Sequence, residues 1–365
     1  MSTNTLTLIG LEGGNSVGYL AALGTLRLLV HHRSGWKPKL SWDAQTEKAR
    51  LHTTQPITLV ELVESLHAAL IGGPNNPAAG LAARELLCTR TEQIEVSLKQ
   101  LSKDKSLTKA ELKARKDTLD AELAELQRRW LEYAAPHLNY GPDTKFNAEV
   151  WRAYEQQAQA TAYEQPFHTN TLAALCSSAC EDEEGDAEDT AFRTMRGTGR
   201  QHFLKHMANQ LLTLTPEHLT KTLFAPWAYD DPTEALSLRW DPLDDVRYAL
   251  RWRNPSGDPL RKSQGGMIGA SALAVAGLPL HPVHPRQSGL HTTGFSEIKR
   301  ATTWTWPLWE TPIDLATARS IIALADIQEA EPDHGQLRPR GVFGLYRSER
   351  FNRDKYRNFT PAFAV

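Results

Sequence analysis

The stretch from Leu8 to Val30, LIGLEGGNSVGYLAALGTLRLLV, limits the fold more than any other part of the 365-residue chain. A short apolar run, Leu6 to Ile9, leads into a loop with Gly10, Gly13 and Gly14. Asn15 or Ser16 comes next, and either offers a side-chain oxygen to the free N–H groups of a helix start. Leu20, Leu23, Leu26, Leu28 and Leu29 then form a broad apolar face. Gly18 and Gly24 lie inside that helix, where glycine costs roughly 1 kcal/mol against alanine. They mark places where another backbone comes close. The expected order is strand, glycine turn, tightly packed helix.

Nucleotide-binding loops share this layout, so spacing has to decide. A Walker loop needs Gly-Lys-Ser/Thr after four intervening residues, and the stretch has no lysine. Gly10, Gly13, Gly14 and Gly18 do not give G-x-G-x-x-G. No nucleotide cofactor is expected here.

Further along, Lys39–Trp42 and Ala49–Thr53 read as a strand pair. Pro56 and Thr58 open an amphipathic helix to about Leu70, with Leu59, Leu62, Val63, Leu66 and Leu70 on one face. From Leu81 to Tyr133 alanine, leucine and charged residues dominate, which predicts two antiparallel helices hinged near Ser102–Leu107. TKAE at 108–111 fits a capping box for the second. A third helix is expected over Ala148–Tyr163. Shorter helices are predicted from near Gln201, at Pro216–Phe224, at Gly269–Ala276 (small residues that allow close backbone approach) and at Leu315–Ile327. Short strands are predicted at Arg239–Pro242, Tyr248–Trp252 and Gly341–Tyr346. The fold class is α+β: mixed sheet elements with a mostly helical insertion. The chain divides into an N-terminal α/β part (1–84), a helical hairpin insertion (85–165) and a C-terminal α+β part (166–365).

Hydrophobic content of 41% and charged content of 23% suit a globular chain. No secretory leader and no bilayer-length apolar segment is read from the sequence, and three cysteines are too few for a disulfide framework. The expected location is cytoplasmic, with no membrane partner. A net charge of −2 and a pI near 6.7 weigh against a free-standing nucleic-acid binder. The average conceals opposite patches. Glu181–Asp189, EDEEGDAED, is acidic and predicts a solvated loop or disorder. Phe192–Met207 follows at once with Arg193, Arg196, Arg200 and Lys205 and no acid. A second basic segment, Arg338–Arg357, holds Arg338, Arg340, Arg347, Arg350, Arg353, Lys355 and Arg357 against only Glu349 and Asp354, interleaved with Phe343, Tyr346, Phe351, Tyr356 and Phe359. Guanidinium forks match phosphate and aromatic rings offer stacking faces, a mixture suited to single strands or RNA. A solvated charged surface is the plainer reading.

Catalytic signals are weaker. Cys176 and Cys180 would share a helical face, without the further ligands that zinc needs. His281 and His284, followed by His291, lie in a proline-rich extended segment. Asp241, Asp244 and Asp245 would suit a two-metal site or a turn that caps backbone N–H groups. There is no nucleophile elbow. The tryptophans Trp227, Trp240, Trp252, Trp304, Trp306 and Trp309 either stack on bases or fill a core.

Several segments in order resemble one family: GLEGGNSVGYLAALGTLRLL, RGTGRQHFL, LFAPWAYDD, LRWDPLDDVRYALRW, TWPLW and the terminal RNFTPAF. They look like proteins of type I-G (formerly I-U) CRISPR loci, and the opening turn and helix resemble the start of large subunits of type I Cascade effectors. The resemblance covers both ends of the chain, skips 85–165 and contains no catalytic signature. It implies a non-catalytic subunit of an RNA-guided surveillance complex. Its partners would be other effector subunits and guide RNA, target DNA or both, in antiviral defence. Gly13, Gly14 and Asn15 would then approach the DNA, with Asn15 able to pair with an adenine edge. The alternative is a metal-dependent nuclease or hydrolase using His281, His284, Asp241, Asp244 and Asp245.

Overall fold

The computed structural model describes residues 3–73, 76–101, 107–141, 143–195, 202–231, 237–243, 265–287, 289–353 and 356–365. The first strand, β1 (Thr3–Glu12), buries Leu6 and Leu8 and exposes Thr5, Thr7 and Ile9, the period-two pattern of a half-buried strand. The glycine turn follows, then α1 (Ser16–His32). Of the two expected caps it is Asn15 that serves, its Oδ1 accepting from the Gly18 N–H at 2.8 Å. Strands β2 (Lys39–Trp42) and β3 (Lys48–Ile57) pair with β1 in an antiparallel sheet of order β1-β3-β2. Helix α2 (Leu59–Gly72) starts at a capping box made by Thr58 and Glu61.

The expected helical hairpin is α3 (Pro77–Leu101) and α4 (Lys109–Ala134), the latter opened by the Thr108–Glu111 box. Helices α5 (Ala148–Ala160) and α6 (Pro166–Leu172) lead to strands β4 (Cys176–Glu181) and β5 (Ala187–Asp189). Next are α7 (Phe203–Thr213), α8 (Pro216–Phe224) and α9 (Ile268–Gly277). A small hairpin, β6 (Val283–Arg286) with β7 (Gly289–Thr292), precedes β8 (Phe295–Ile298) and β9 (Ala301–Trp309). Helices α10 (Leu315–Ile322) and α11 (His334–Leu337) come before β10 (Val342–Arg353), β11 (Tyr356–Phe359) and β12 (Phe363–Ala364). The second main sheet has the order β11-β10-β9-β8, with β12 also on β10. The fold is α+β. Among the described residues no helix is long and apolar enough to cross a membrane.

The core joins the two main sheets through α1. Tyr19 stacks on Trp42 (ring centroids 5.6 Å) and packs beside Trp306 and Trp309. Trp306 donates its indole N–H to the Gly13 carbonyl and Trp309 to the Leu40 carbonyl, each at 2.8 Å. Trp240, Trp304, Trp306 and Trp309 are all buried, so they fill the core and present no face to a base. Trp252 lies outside the described residues. Helices α1 and α9 meet backbone to backbone. A β-carbon on Gly24 would sit 1.8 Å from the Leu273 carbonyl oxygen, and one on Gly277 2.3 Å from that of Leu20. This is the close approach that the glycines and the small-residue helix predict. Gly18 instead clears the Glu12 backbone of its own turn.

Four local expectations need correction. The acidic run is exposed at Glu181–Glu184 as expected but is an ordered hairpin: its two ends lie in strands β4 and β5, joined by a tight turn. Asp182 Oδ1 accepts from the N–H groups of Glu184 and Asp186, and Gly185 supplies the positive φ that the turn needs. Ala187 is buried and donates its N–H to the Phe146 carbonyl. Cys176 and Cys180 therefore lie on a strand and not a helix, with Cys176 buried. Arg239–Pro242 forms no strand, because Asp241 and the neighbouring backbone are tied to the start of α1. The helix from Leu315 stops at Ile322, and a single 3-10 turn, Ala325–Gln328, follows. Tyr248–Trp252 lies outside the described residues.

Candidate nucleic-acid interface

The two basic segments come together. Arg350 Nη2 donates to the main-chain carbonyl of Arg193 at 2.8 Å. Strand geometry decides which side chains share that place. Along β10 the residues alternate, so Tyr346, Ser348 and Arg350 face one way while Arg347, Glu349 and Phe351 face the other. Arg357 on β11 pairs with Asn352 and so shares the Arg350 side.

Arg350 and Arg357 line an open groove of about 570 Å³. Its far wall is the turn between β4 and β5, and Lys145 and Leu290 complete it. Arg193 reaches this groove but is already bound. It is only 8% exposed, donates from Nε to the Met195 carbonyl, pairs with Asp189 and lies 3.1 Å from Asp143. Burial disfavours its charge, but Asp189 and Asp143 outweigh this and raise its pKa. Burial also pushes the Asp143 carboxyl up, against the opposing pull of Arg193. The expectation that Arg193 contacts phosphate is corrected: it is a buried tie between the 143 and 189 segments.

Arg347 is corrected in the same way. Its guanidinium donates to Thr305 Oγ1 and to the carbonyls of Glu329 and Ala330, and burial lowers its pKa. It fastens β10 to β9 and to the loop beyond α10. The interleaved aromatics divide between the two strand faces, and Phe359, which pairs with Arg350 and so shares its side, is buried. Phe351 is 40% exposed but on the opposite strand face, and Phe363, 48% exposed, pairs with Arg347 on that same face. Tyr346 shares the Arg350 side, stacks on Trp306 and donates its hydroxyl to Glu47. Lys205 is exposed on α7 and lines a different groove, together with Gln127 and Arg128 of α4. Arg196, Arg200 and Lys355 lie outside the described residues, as does the side chain of Arg353.

The glycine turn is also committed inward. Gly13 is buried, donates its N–H to the Glu47 carbonyl and accepts from Trp306. A β-carbon on Gly14 would press against the Tyr346 ring at 3.1 Å. Asn15 uses both ends of its amide: Oδ1 caps α1, and Nδ2 donates to Asp241 Oδ2 at 3.1 Å. Reading an adenine edge would require breaking these bonds.

Among the described residues, the histidines and the aspartate of the hydrolase alternative each have partners of their own. His281 is fully buried between Phe192 and Trp304, bonded through Nδ1 to the Thr293 carbonyl, and burial lowers its pKa to about 4. His284 instead pairs across β6 and β7 with His291, ring centroids 4.7 Å apart. Asp241 is buried, accepting from Asn15, the Tyr229 hydroxyl and the Leu243 N–H. Asp244 and Asp245 lie outside the described residues. Among the described residues no three His, Cys, Asp or Glu side chains gather to hold a metal ion.

Sequence reading missed Lys145 and the wall of the groove. Lys145 is a single lysine with no basic neighbour, so nothing in the sequence marks it. For the turn the signal lies in Asp182, Gly185 and Asp186, whose residue types favour an Asx turn. Compared with family models, with curated proteins and with solved structures, the chain matches none.

Proposed function

We propose that this chain is a non-catalytic subunit of a cytoplasmic, RNA-guided CRISPR surveillance complex, and that it contacts guide RNA or target DNA at the face carrying Arg350 and Arg357. The observation that carries the reading is that Arg350 and Arg357, on one face of β10 and β11, line an open groove together. The partner class comes from the family resemblance of both ends of the chain. The near-neutral net charge fits a subunit that shares a nucleic-acid channel with more basic partners. Such a subunit would hold a backbone by charge while base pairing reads the sequence.

The test is purified chain with labelled single-stranded RNA, single-stranded DNA and duplex, each with and without divalent metal. The expected result is retention of a strand without cleavage, weakening steeply as salt rises. Metal-dependent cleavage would favour the hydrolase alternative. Failure to retain any strand, alone or with co-expressed effector subunits, would remove the nucleic-acid role.

A further inference from the structure

The groove beside Arg350 and Arg357 is bipolar. Six carboxylates and four basic side chains line it. Arg193 pairs with Asp143 and Asp189, Lys145 with Glu184 and Asp186, and Arg350 binds the Arg193 carbonyl. Arg350 and Arg357 thus share the groove with the carboxylates of the β4–β5 turn. The turn is fixed and not a trailing tail. Asp182 closes it through two backbone N–H groups, Ala187 anchors it, and Lys145 clamps its tip. Glu183 and Glu184 stay exposed at that tip.

We propose that this turn is a built-in competitor for phosphate. Its carboxylates keep the groove net negative and hold non-specific nucleic acid away from Arg350 and Arg357. This rests on the reading that the groove face meets nucleic acid. The physical basis is range. A strand entering the groove comes close to both walls, well inside the screening length of about 10 Å at 0.1 M salt. Each phosphate is then drawn by the guanidinium groups and repelled by the turn. A strand that only brushes the groove gains little. One held in place by base pairing or by partner subunits supplies the contacts that overcome the repulsion.

The experiment compares the intact chain with E183Q/E184Q, in which Asp182 still closes the turn and Asp186 still pairs with Lys145. The probes are labelled mixed-sequence single strands of RNA and of DNA. The control is E310Q/E331Q, which removes two exposed acids elsewhere. At low salt the turn variant is expected to bind several-fold more tightly, and the difference closes as salt rises. The control pair should move affinity much less, and adding R350A/R357A to the turn variant should abolish the gain. An equal gain from the control pair, or a gain that survives loss of both arginines, overturns the proposal. If the intact chain binds and the turn variant binds equally at every salt concentration, the gate falls and the nucleic-acid role stands. If neither binds, both fall.

Discussion

The Arg350 guanidinium donates to the main-chain carbonyl of Arg193, 157 positions away in sequence, at 2.8 Å. That bond sets β10 against the backbone at Arg193. The two arginines differ in role. Arg193 turns inward to Asp143 and Asp189, while Arg350 and Arg357 line the open groove.

Arg193 should matter for folding more than for binding. Its removal leaves Asp143 and Asp189 without their buried partner, and breaking such a pair from one side costs about 3–5 kcal/mol. Denaturant unfolding of R193A should show a loss of this size, visible as a lower midpoint. A stability within about 1 kcal/mol of the intact chain would show that solvent already screens the pair.

Acid should weaken the fold through two histidines. Burial lowers the pKa of His281 to about 4, and burial with the charges of Arg27 and Arg319 lowers that of His31 to about 4. In the unfolded chain both take a proton near pH 6.5, whereas in the folded chain they stay neutral to about pH 4. The unfolded state therefore binds more protons between these limits, and stability falls as pH drops through that window. Above about pH 6.5 the contribution is constant. Unfolding midpoints measured from pH 7.5 to 4.5 should decline, and H31Q should decline less steeply. Parallel curves for the two proteins would contradict the assignment of His31.

Much of the framework was legible because local chemistry and packing agree. The strand, glycine turn and α1 follow from residue types that serve the same structure at each step, Thr58 opens α2, and the Thr108–Glu111 box caps the helix it announces. Gly24 was legible because its cost within a helix needs a reason, and the Leu273 carbonyl supplies it. The site was less legible, because sequence reports charge and not direction. Arg347 and Arg350 look alike in sequence, yet strand alternation sends one beneath a loop and the other to the groove. Composition also made the run at 181–189 look like linker, whereas Gly185 and the small buried Ala187 let it close a hairpin.

The most direct test of the account is the salt dependence of single-strand binding by R350A/R357A beside the intact chain and R350K/R357K, with unfolding midpoints confirming that all three are folded. Each phosphate contact on a single strand contributes about 0.7 to the slope of log affinity against log salt. The alanine pair should bind more weakly, with a slope shallower by about 1.4. The lysine pair should keep the slope, since it keeps the charge. Equal affinity and slope for the alanine pair and the intact chain would contradict a nucleic-acid contact at this face.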